Sequence, residues 1–120
     1  MRDFLSIAKA LSDESRVRAL LSVKGGELCL CQIIDVLALS PATVSKHMNL
    51  LYQAGLVQRR KDGKWHYYRM AETDTNPSVR RALDWVLAEL DRDPSLRNDA
   101  RRIREARLKG LKELSACYRG

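Results

Sequence analysis

A capped helix followed by a basic hairpin is encoded by residues 39–70, LSPATVSKHMNLLYQAGLVQRRKDGKWHYYRM. Ser40 is a favourable N-cap and Pro41 suits the first helical position, so these residues predict a helix over 41–54. Gly55 favours the end of that helix. The outer face carries short polar or basic side chains that suit base edges and phosphates, namely Thr43, Ser45, Lys46 and Asn49.

Two strand-like segments follow this helix, Leu56–Lys61 and Lys64–Met70. Between them, Asp62-Gly63 is a two-residue hairpin signal. The hairpin is basic around its tip, at Arg59, Arg60, Lys61 and Lys64. We expect the aromatic Trp65 and Tyr67 of the return strand to lie in the core, because a lone hairpin is marginal in water and must pack on helices.

Apolar residues at helical spacing predict five further helices. They are expected at 3–11, between Ser12 and Gly25, at about 29–38, at 77–91 and at about 95–117, with a polar linker over 71–76. Helix, turn, helix and basic hairpin together make a mainly α protein with a β-hairpin, the layout of a winged helix-turn-helix. In that fold the second helix enters the major groove and the hairpin reaches along the backbone.

The composition favours a polyanionic partner. The chain of 120 residues is long enough for one domain with a real core, and its net charge of +7 suits nucleic acid or an acidic membrane surface. No apolar run approaches the roughly 20 residues that span a bilayer, and the N-terminus lacks a signal-peptide core. We therefore expect a cytoplasmic protein that binds double-stranded DNA and no membrane.

An enzyme is the less favoured class. A Cys-x-Cys redox pair usually lies at the end of a strand in a βαβ scaffold, and no parallel-sheet pattern is present. The sequence also lacks a Gly-rich phosphate loop and a nucleophile–base constellation. An interaction protein would use the basic helix at 95–117, but Glu105 and Glu113 interleave its charges and favour a solvated face.

The cysteines suggest a switch beside the DNA-reading element. Cys29 and Cys31 lie one residue apart in Glu-Leu-Cys-Leu-Cys, and Cys117 is near the C-terminus. Three cysteines in a reducing compartment do not predict a disulfide framework. Soft thiolates without a histidine or carboxylate cluster suit a thiophilic ion such as arsenite or antimonite, whose pyramidal geometry accepts three sulfurs.

The spacing of the two cysteines constrains how an ion could bind. Residues two apart on an ideal helix point about 200° away from each other. In a helix over 29–38, Cys29 and Cys31 could then not both hold one ion, and one of them would be exposed. Either the ion lies at a frayed first turn, or binding unwinds that turn and displaces the following helix. Cys117 is a tentative third sulfur, from the same or the partner subunit.

Residues 9–69 resemble the arsenical-resistance repressor (ArsR/SmtB) family of bacterial metal-responsive winged-helix regulators. The resemblance is carried by Lys9-Ala10-Leu11-Ser12-Asp13, Glu27-Leu28-Cys29-Leu30-Cys31, Leu39 to Leu51, Ala54-Gly55-Leu56-Val57 and Gly63-Lys64-Trp65-His66-Tyr67-Tyr68-Arg69. It implies a homodimer that represses a resistance operon at an inverted-repeat operator and leaves DNA when an inducer binds. It also implies dimerisation through the first helix and the helix at 77–91. We therefore divide one continuous domain into a winged-helix DNA-binding core, 1–70, and C-terminal dimerisation helices with a basic tail, 71–120.

The same resemblance makes Glu-Leu-Cys-x-Cys an arsenic-sensing motif. Family members often have a third cysteine three residues later, where this chain has Ile34. Zinc sensors of the family use histidines on the late dimer helix, and 77–91 contains none. Cadmium or lead sensing and a redox or persulfide switch stay open, although a carboxylate at Glu27 would oppose thiolate formation. Both cysteines could also simply be small buried hydrophobes.

Eight side chains are our candidates for DNA contacts. They are Ser40, Thr43, Ser45, Lys46, His47 and Asn49 on the recognition helix, with Lys61 and Lys64 on the wing. His47 is ambiguous, since it could reach phosphate or pack beside Val44 and Leu51, its neighbours at helical spacing.

Overall fold

The computed structural model describes residues 1–72 and 76–109. In chain order its elements are α1 (Arg2–Ala10), α2 (Glu14–Ser22), β1 (Leu28–Cys29), α3 (Leu30–Leu37), α4 (Pro41–Gln53), β2 (Val57–Asp62), β3 (Trp65–Met70), α5 (Pro77–Leu90), a 3₁₀-helix (Pro94–Leu96) and α6 (Arg97–Leu108). This order confirms the mainly α winged helix-turn-helix, with α3 and α4 as its two helices. No helix within the described ranges is long and apolar enough to cross a membrane.

Local capping fixes the starts of the helices around the DNA-reading unit. The Asp13 carboxylate accepts the backbone N–H of Arg16 at 3.0 Å and begins α2. The Ser40 hydroxyl accepts the backbone N–H of Thr43 at 3.2 Å, with Pro41 at the first helical position of α4. The predicted cap of α4 is confirmed, and such a cap stabilises a helix by about 1 kcal/mol.

The wing is a three-stranded antiparallel sheet of order β1-β3-β2. Because Asp62 pairs with Trp65, the turn residues are Gly63 and Lys64, one position later than the predicted Asp62-Gly63. Gly63 has φ +60°, and glycine at the first of two turn positions is the pattern of a II′ turn. The sequence analysis missed β1.

The core joins the helices to the base of the wing. Its largest fully buried side chains come from three helices, from β1 and from the start of the hairpin. They are Leu20 of α2, Leu28 of β1, Ile33 of α3, Met48 and Leu51 of α4, and Leu56 before β2. Burying one such side chain stabilises the fold by about 1.5–3 kcal/mol. The recognition helix α4 therefore shares a single close-packed core with α3.

Helix α6 docks on α2 and α3 through polar groups. Arg18 forms a two-pronged ion pair with the buried Asp99, at 2.7 and 2.9 Å, and Arg102 donates to the Val36 carbonyl at 3.2 Å. Ala106 is fully buried in the contact. The predicted helix at 95–117 is thus a 3₁₀ turn followed by α6 up to Leu108, and the remainder of that prediction lies outside the described residues.

His47 lies on the packed face of α4, as its helical spacing with Val44 and Leu51 allowed. Its side chain is buried, with Nδ1 3.4 Å from an Arg16 guanidinium nitrogen and Nε2 3.9 Å from the Asp13 carboxylate. The structure places the His47 ring against Asp13 and Arg16 and away from the exposed face of α4, which favours the packing role over a phosphate contact. Burial lowers the pKa of His47 from its usual 6.5, Asp13 opposes this shift, and Arg16 and Lys46 add to it.

His47 should therefore make the folded protein sensitive to mild acid. Because its pKa is lower in the folded than in the unfolded chain, its contribution to stability is fully present above pH 6.5 and is lost as the pH falls through the folded pKa. We expect His47→Gln to flatten the pH dependence of stability between pH 7 and pH 5, by no more than about 1.4 kcal/mol per pH unit.

Urea unfolding at a fixed protein concentration measures this difference. Asn49→Gln on the exposed face of α4 is the control and should keep the wild-type pH dependence, because it changes no titratable group. Parallel curves for wild type and His47→Gln would contradict the assignment of His47 as a group buried in its neutral form.

Candidate thiol site and nucleic-acid interface

Cys29 and Cys31 meet where a strand turns into a helix. Cys29 ends β1 and is the N-cap of α3, with an extended backbone at φ −71° and ψ 150°, while Cys31 lies in the first helical turn. Both side chains are 0% exposed and belong to one buried cluster. The helix predicted at about 29–38 is confirmed as α3, Leu30–Leu37. The expectation that one of the two cysteines would be exposed is wrong, because Cys29 precedes the helix and both side chains are buried.

Gln32 locks the cap of α3. The Cys29 backbone N–H donates to Gln32 Oε1 at 2.8 Å, and the Gln32 backbone N–H donates to the Cys29 sulfur. Gln32 Nε2 also donates to the Ala106 carbonyl of α6 at 3.3 Å. Sequence reasoning missed Gln32, although Cys-x-x-Gln has the spacing of a capping box with cysteine in the place of serine. Any movement of the Cys29 sulfur therefore disturbs both the first turn of α3 and its contact with α6.

Aromatic side chains of the wing cover the two sulfurs. Trp65 and Tyr67 of β3 are partly buried and pack against Cys29 and Cys31. Burial raises the pKa of the Tyr67 hydroxyl, and the nearby Cys29 raises it further. The expectation that these aromatics are packing groups is confirmed, with the difference that they pack on the thiols.

Glu27 is paired with an arginine of the wing. Arg60 donates two hydrogen bonds to the Glu27 carboxylate, at 2.7 and 2.9 Å, and this pairing lowers the pKa of Glu27. The Arg60 guanidinium carbon also lies 4.3 Å from the centre of the Tyr67 ring. The negative charge that we expected to oppose thiolate formation therefore lies against a compensating positive charge.

The donors available to an ion are few. Among residues 1–72 and 76–109, no group of three or more histidine, cysteine, aspartate or glutamate side chains is placed to hold a metal ion. Cys29 and Cys31 supply two adjacent soft donors, which suit a thiophilic ion better than a hard one. Cys117 lies outside the described residues.

The outer face of α4 and the tip of the wing are open to a polyanion. Every candidate other than His47 is exposed, namely Ser40, Thr43, Ser45, Lys46 and Asn49 on or before α4, with Lys61 and Lys64 on the wing. Two cation–π contacts on this surface were not predicted from the sequence. Arg59 of β2 stacks on Tyr52 of α4 at 3.8 Å from the ring centre, and Lys64 lies 5.0 Å above the Trp65 ring. An exposed tyrosine at the end of α4, just before a basic strand, was the available signal.

A second, apolar surface lies between α1 and α5. Phe4 is 67% exposed and Trp85 is 63% exposed. They line a groove of about 690 Å³ together with Ile7, Ala8, Leu11, Ser12, Ser78, Arg81 and Ala82. An exposed apolar groove of this kind is typical of a protein–protein interface.

Residues 13–59 match the family described as bacterial regulatory protein, arsR family. An arsenic resistance transcriptional regulator of Pseudomonas putida is 36% identical over 91 residues, which are 72% of this chain and 67% of that protein. A homolog of the cadmium resistance regulatory protein CadC from Staphylococcus aureus is 38% identical over 83 residues, 68% of each chain.

A solved structure agrees with the fold. The homodimeric winged helix-turn-helix DNA-binding domain of a possible ArsR-family transcriptional regulator from Mycobacterium bovis superposes with a TM-score of 0.60 at 28% identity, over 77% of this chain and 83% of that one. Sequence, fold and exposed basic surface thus agree: the chain belongs to the ArsR family of winged helix-turn-helix transcriptional regulators.

Proposed function

We propose that this chain is a homodimeric cytoplasmic repressor that releases an inverted-repeat operator when arsenite or antimonite binds to Cys29 and Cys31. One observation carries the proposal: Cys29 and Cys31 form one buried cluster at the start of α3, the helix that precedes the recognition helix. Arsenite is thiophilic, and the Pseudomonas putida relative is an arsenic resistance regulator. The controlled genes would then be a metalloid-resistance operon.

Cys117 is our proposed third sulfur. Trivalent arsenic takes three sulfurs in a pyramid, and Cys29 and Cys31 supply two of them. The chain has three cysteines in all, so Cys117 of the same or the partner subunit would complete the set.

Operator binding is assigned to the exposed polar face of α4 and to the wing. Thr43, Ser45, Lys46 and Asn49 would enter the major groove behind the Ser40 cap, while Lys61 and Lys64 would contact phosphates. Each neutralised phosphate would contribute about −0.9 to the slope of log K against log salt.

Release follows from the strain that an ion would impose on α3. The Cys29 sulfur accepts the Gln32 backbone N–H in the cap of α3. An ion that draws both sulfurs to itself would take this acceptor away and distort the first turn of α3. Since α3 and α4 share one core, one route of release would run through α4 and change the half-site spacing of about 34 Å in the dimer.

The alternative function is a response of the same two cysteines to another metal ion or to an oxidant. The cadmium resistance relative from Staphylococcus aureus favours cadmium or lead as the alternative inducer. A redox or persulfide switch would use the same two adjacent thiols.

Arsenite should release the wild-type protein from DNA and should not release the variant that lacks both Cys29 and Cys31. Fluorescence anisotropy on labelled promoter DNA, with a phosphine reductant that does not chelate arsenite, measures the operator Kd with and without the ion. We expect wild-type Kd to rise by at least about tenfold, within the range of allosteric couplings, and the Kd of Cys29→Ser/Cys31→Ser to stay constant. Cys117→Ser should weaken the arsenite response in the same assay.

Each result has a defined meaning. If wild-type protein stays bound at saturating arsenite, arsenite sensing is wrong, and cadmium, lead and persulfide donors are titrated next. If the protein shows no preference for promoter over unrelated DNA, the repressor proposal itself fails.

The apolar groove between α1 and α5 is our proposed dimer interface. We expect Trp85→Arg to give a monomer in sedimentation at micromolar concentration, because a charge would be buried among apolar side chains. Operator affinity should fall with it, since one half-site remains. Leu108→Arg is the matched control, an exposed apolar residue on α6 that should leave the dimer intact. A dimeric Trp85→Arg protein would exclude this surface.

A further inference from the structure

The thiol segment is itself a strand of the wing. Cys29 pairs with Tyr67, and Leu28 pairs with Tyr68, so β1 lies along the outer edge of β3. The wing strand β3 is therefore the direct neighbour of the first cysteine along the backbone. A displacement of Cys29 acts on β3 without passing through the core or through α4.

The side chains repeat this connection. Trp65 and Tyr67 pack against two sulfurs that are 0% exposed. Protein interiors are close-packed, so an ion that enters between these groups must move some of them. The sulfurs are held by the start of α3, whereas the aromatic rings belong to a hairpin that projects toward solvent. Because the rings are only partly buried and the sulfurs are fully buried, we expect the rings to move.

Two cation–π contacts connect the aromatic rings to the turn of the wing and to β2. Lys64 lies over the Trp65 ring at 5.0 Å, and it occupies the turn of the wing. Arg60 of β2 lies over the Tyr67 ring at 4.3 Å and pairs with Glu27, two residues before Cys29. Stacking of this kind contributes about 0.5–1 kcal/mol at exposed sites. Moving either ring therefore moves a basic side chain of the wing, and Lys61 pairs with His66, which lies between the two rings along β3.

We infer that an ion at the cysteines controls DNA binding chiefly through the wing, by displacing Trp65 and Tyr67 and thereby withdrawing Lys61 and Lys64 from the DNA backbone. This inference rests on the proposed function, since it requires that an ion binds at these thiols. It differs from the route through α3 to the recognition helix in one measurable respect, the group of DNA contacts that the ion removes. Trp65 and Tyr67 are positioning residues in this scheme.

A thermodynamic cycle separates the two routes. The operator Kd is measured with and without saturating arsenite for Lys61→Ala/Lys64→Ala on the wing and for the matched pair Thr43→Ala/Lys46→Ala on α4. If the ion acts by withdrawing the wing lysines from DNA, the wing variant has already lost the contacts that the ion would remove. The arsenite effect should then shrink from at least about tenfold to below about threefold in the wing variant and stay within about twofold of wild type in the α4 variant.

The opposite pattern, with the effect kept in the wing variant and lost in the α4 variant, overturns the inference and supports the route through α3. Equal effects in wild type and both variants also overturn it. Failure of wild type to respond to arsenite is a failure of the proposed function instead, and near-ultraviolet absorbance of the arsenic–thiolate bonds shows separately whether the ion binds.

Tryptophan emission gives a second readout that does not depend on DNA. The chain has two tryptophans, so Trp85→Phe leaves Trp65 as the sole emitter. Arsenite should shift the Trp65 emission of this variant and leave it unchanged when Cys29→Ser/Cys31→Ser are added. Arsenic–thiolate absorbance without any change in emission would mean that the ring does not move, and the wing route would be wrong.

Discussion

The pairing of Cys29 with Tyr67 is the constraint on which the thiol site depends. It holds Cys29 in an extended conformation, so the chain enters α3 one residue later. The two sulfurs then meet in a single buried cluster, where a continuous helix would have directed them to opposite faces. The Gln32 side chain completes the arrangement, because it accepts the backbone N–H of Cys29 that a longer helix would have left without an intrahelical partner.

The same segment is held from both sides by charged groups. Arg107 of α6 donates to the Gly26 and Glu27 carbonyls at 3.2 Å, and Arg60 of the wing holds the Glu27 carboxylate. The two-pronged pair of Arg18 with the buried Asp99 anchors α6, and Ala106 is fully buried in the same contact. The tip of the wing is exposed to solvent and packs against less of the protein. We therefore expect the strain from a bound ion to be released on the wing.

Signals that lie close together in sequence predicted most of the fold. Ser40 and Pro41 predicted the start of α4, and a glycine between two β-rich segments predicted the hairpin. Both predictions were possible because caps and turns depend on neighbouring residues. The strand β1 was missed because two residues leave no periodicity and their partner, Tyr67, is far along the chain. The spacing of apolar residues also could not predict that α6 packs on α2 and α3 through polar groups such as Asp99. Both cysteines were predicted as the candidate site, but their common burial depends on the long-range pairing of Cys29 with Tyr67.

The loss of operator-binding free energy that regulation needs is small compared with what the wing lysines would contribute. A hundredfold release of operator corresponds to about 2.7 kcal/mol, since each factor of ten is about 1.4 kcal/mol. One hydrogen bond to a charged group contributes about 1.5–3 kcal/mol. Withdrawal of Lys61 and Lys64 in both protomers would remove up to four such groups from the DNA backbone. A modest shift of the wing therefore suffices, and the recognition helix can keep its place in the core, with its stabilising packing intact, while the operator is released.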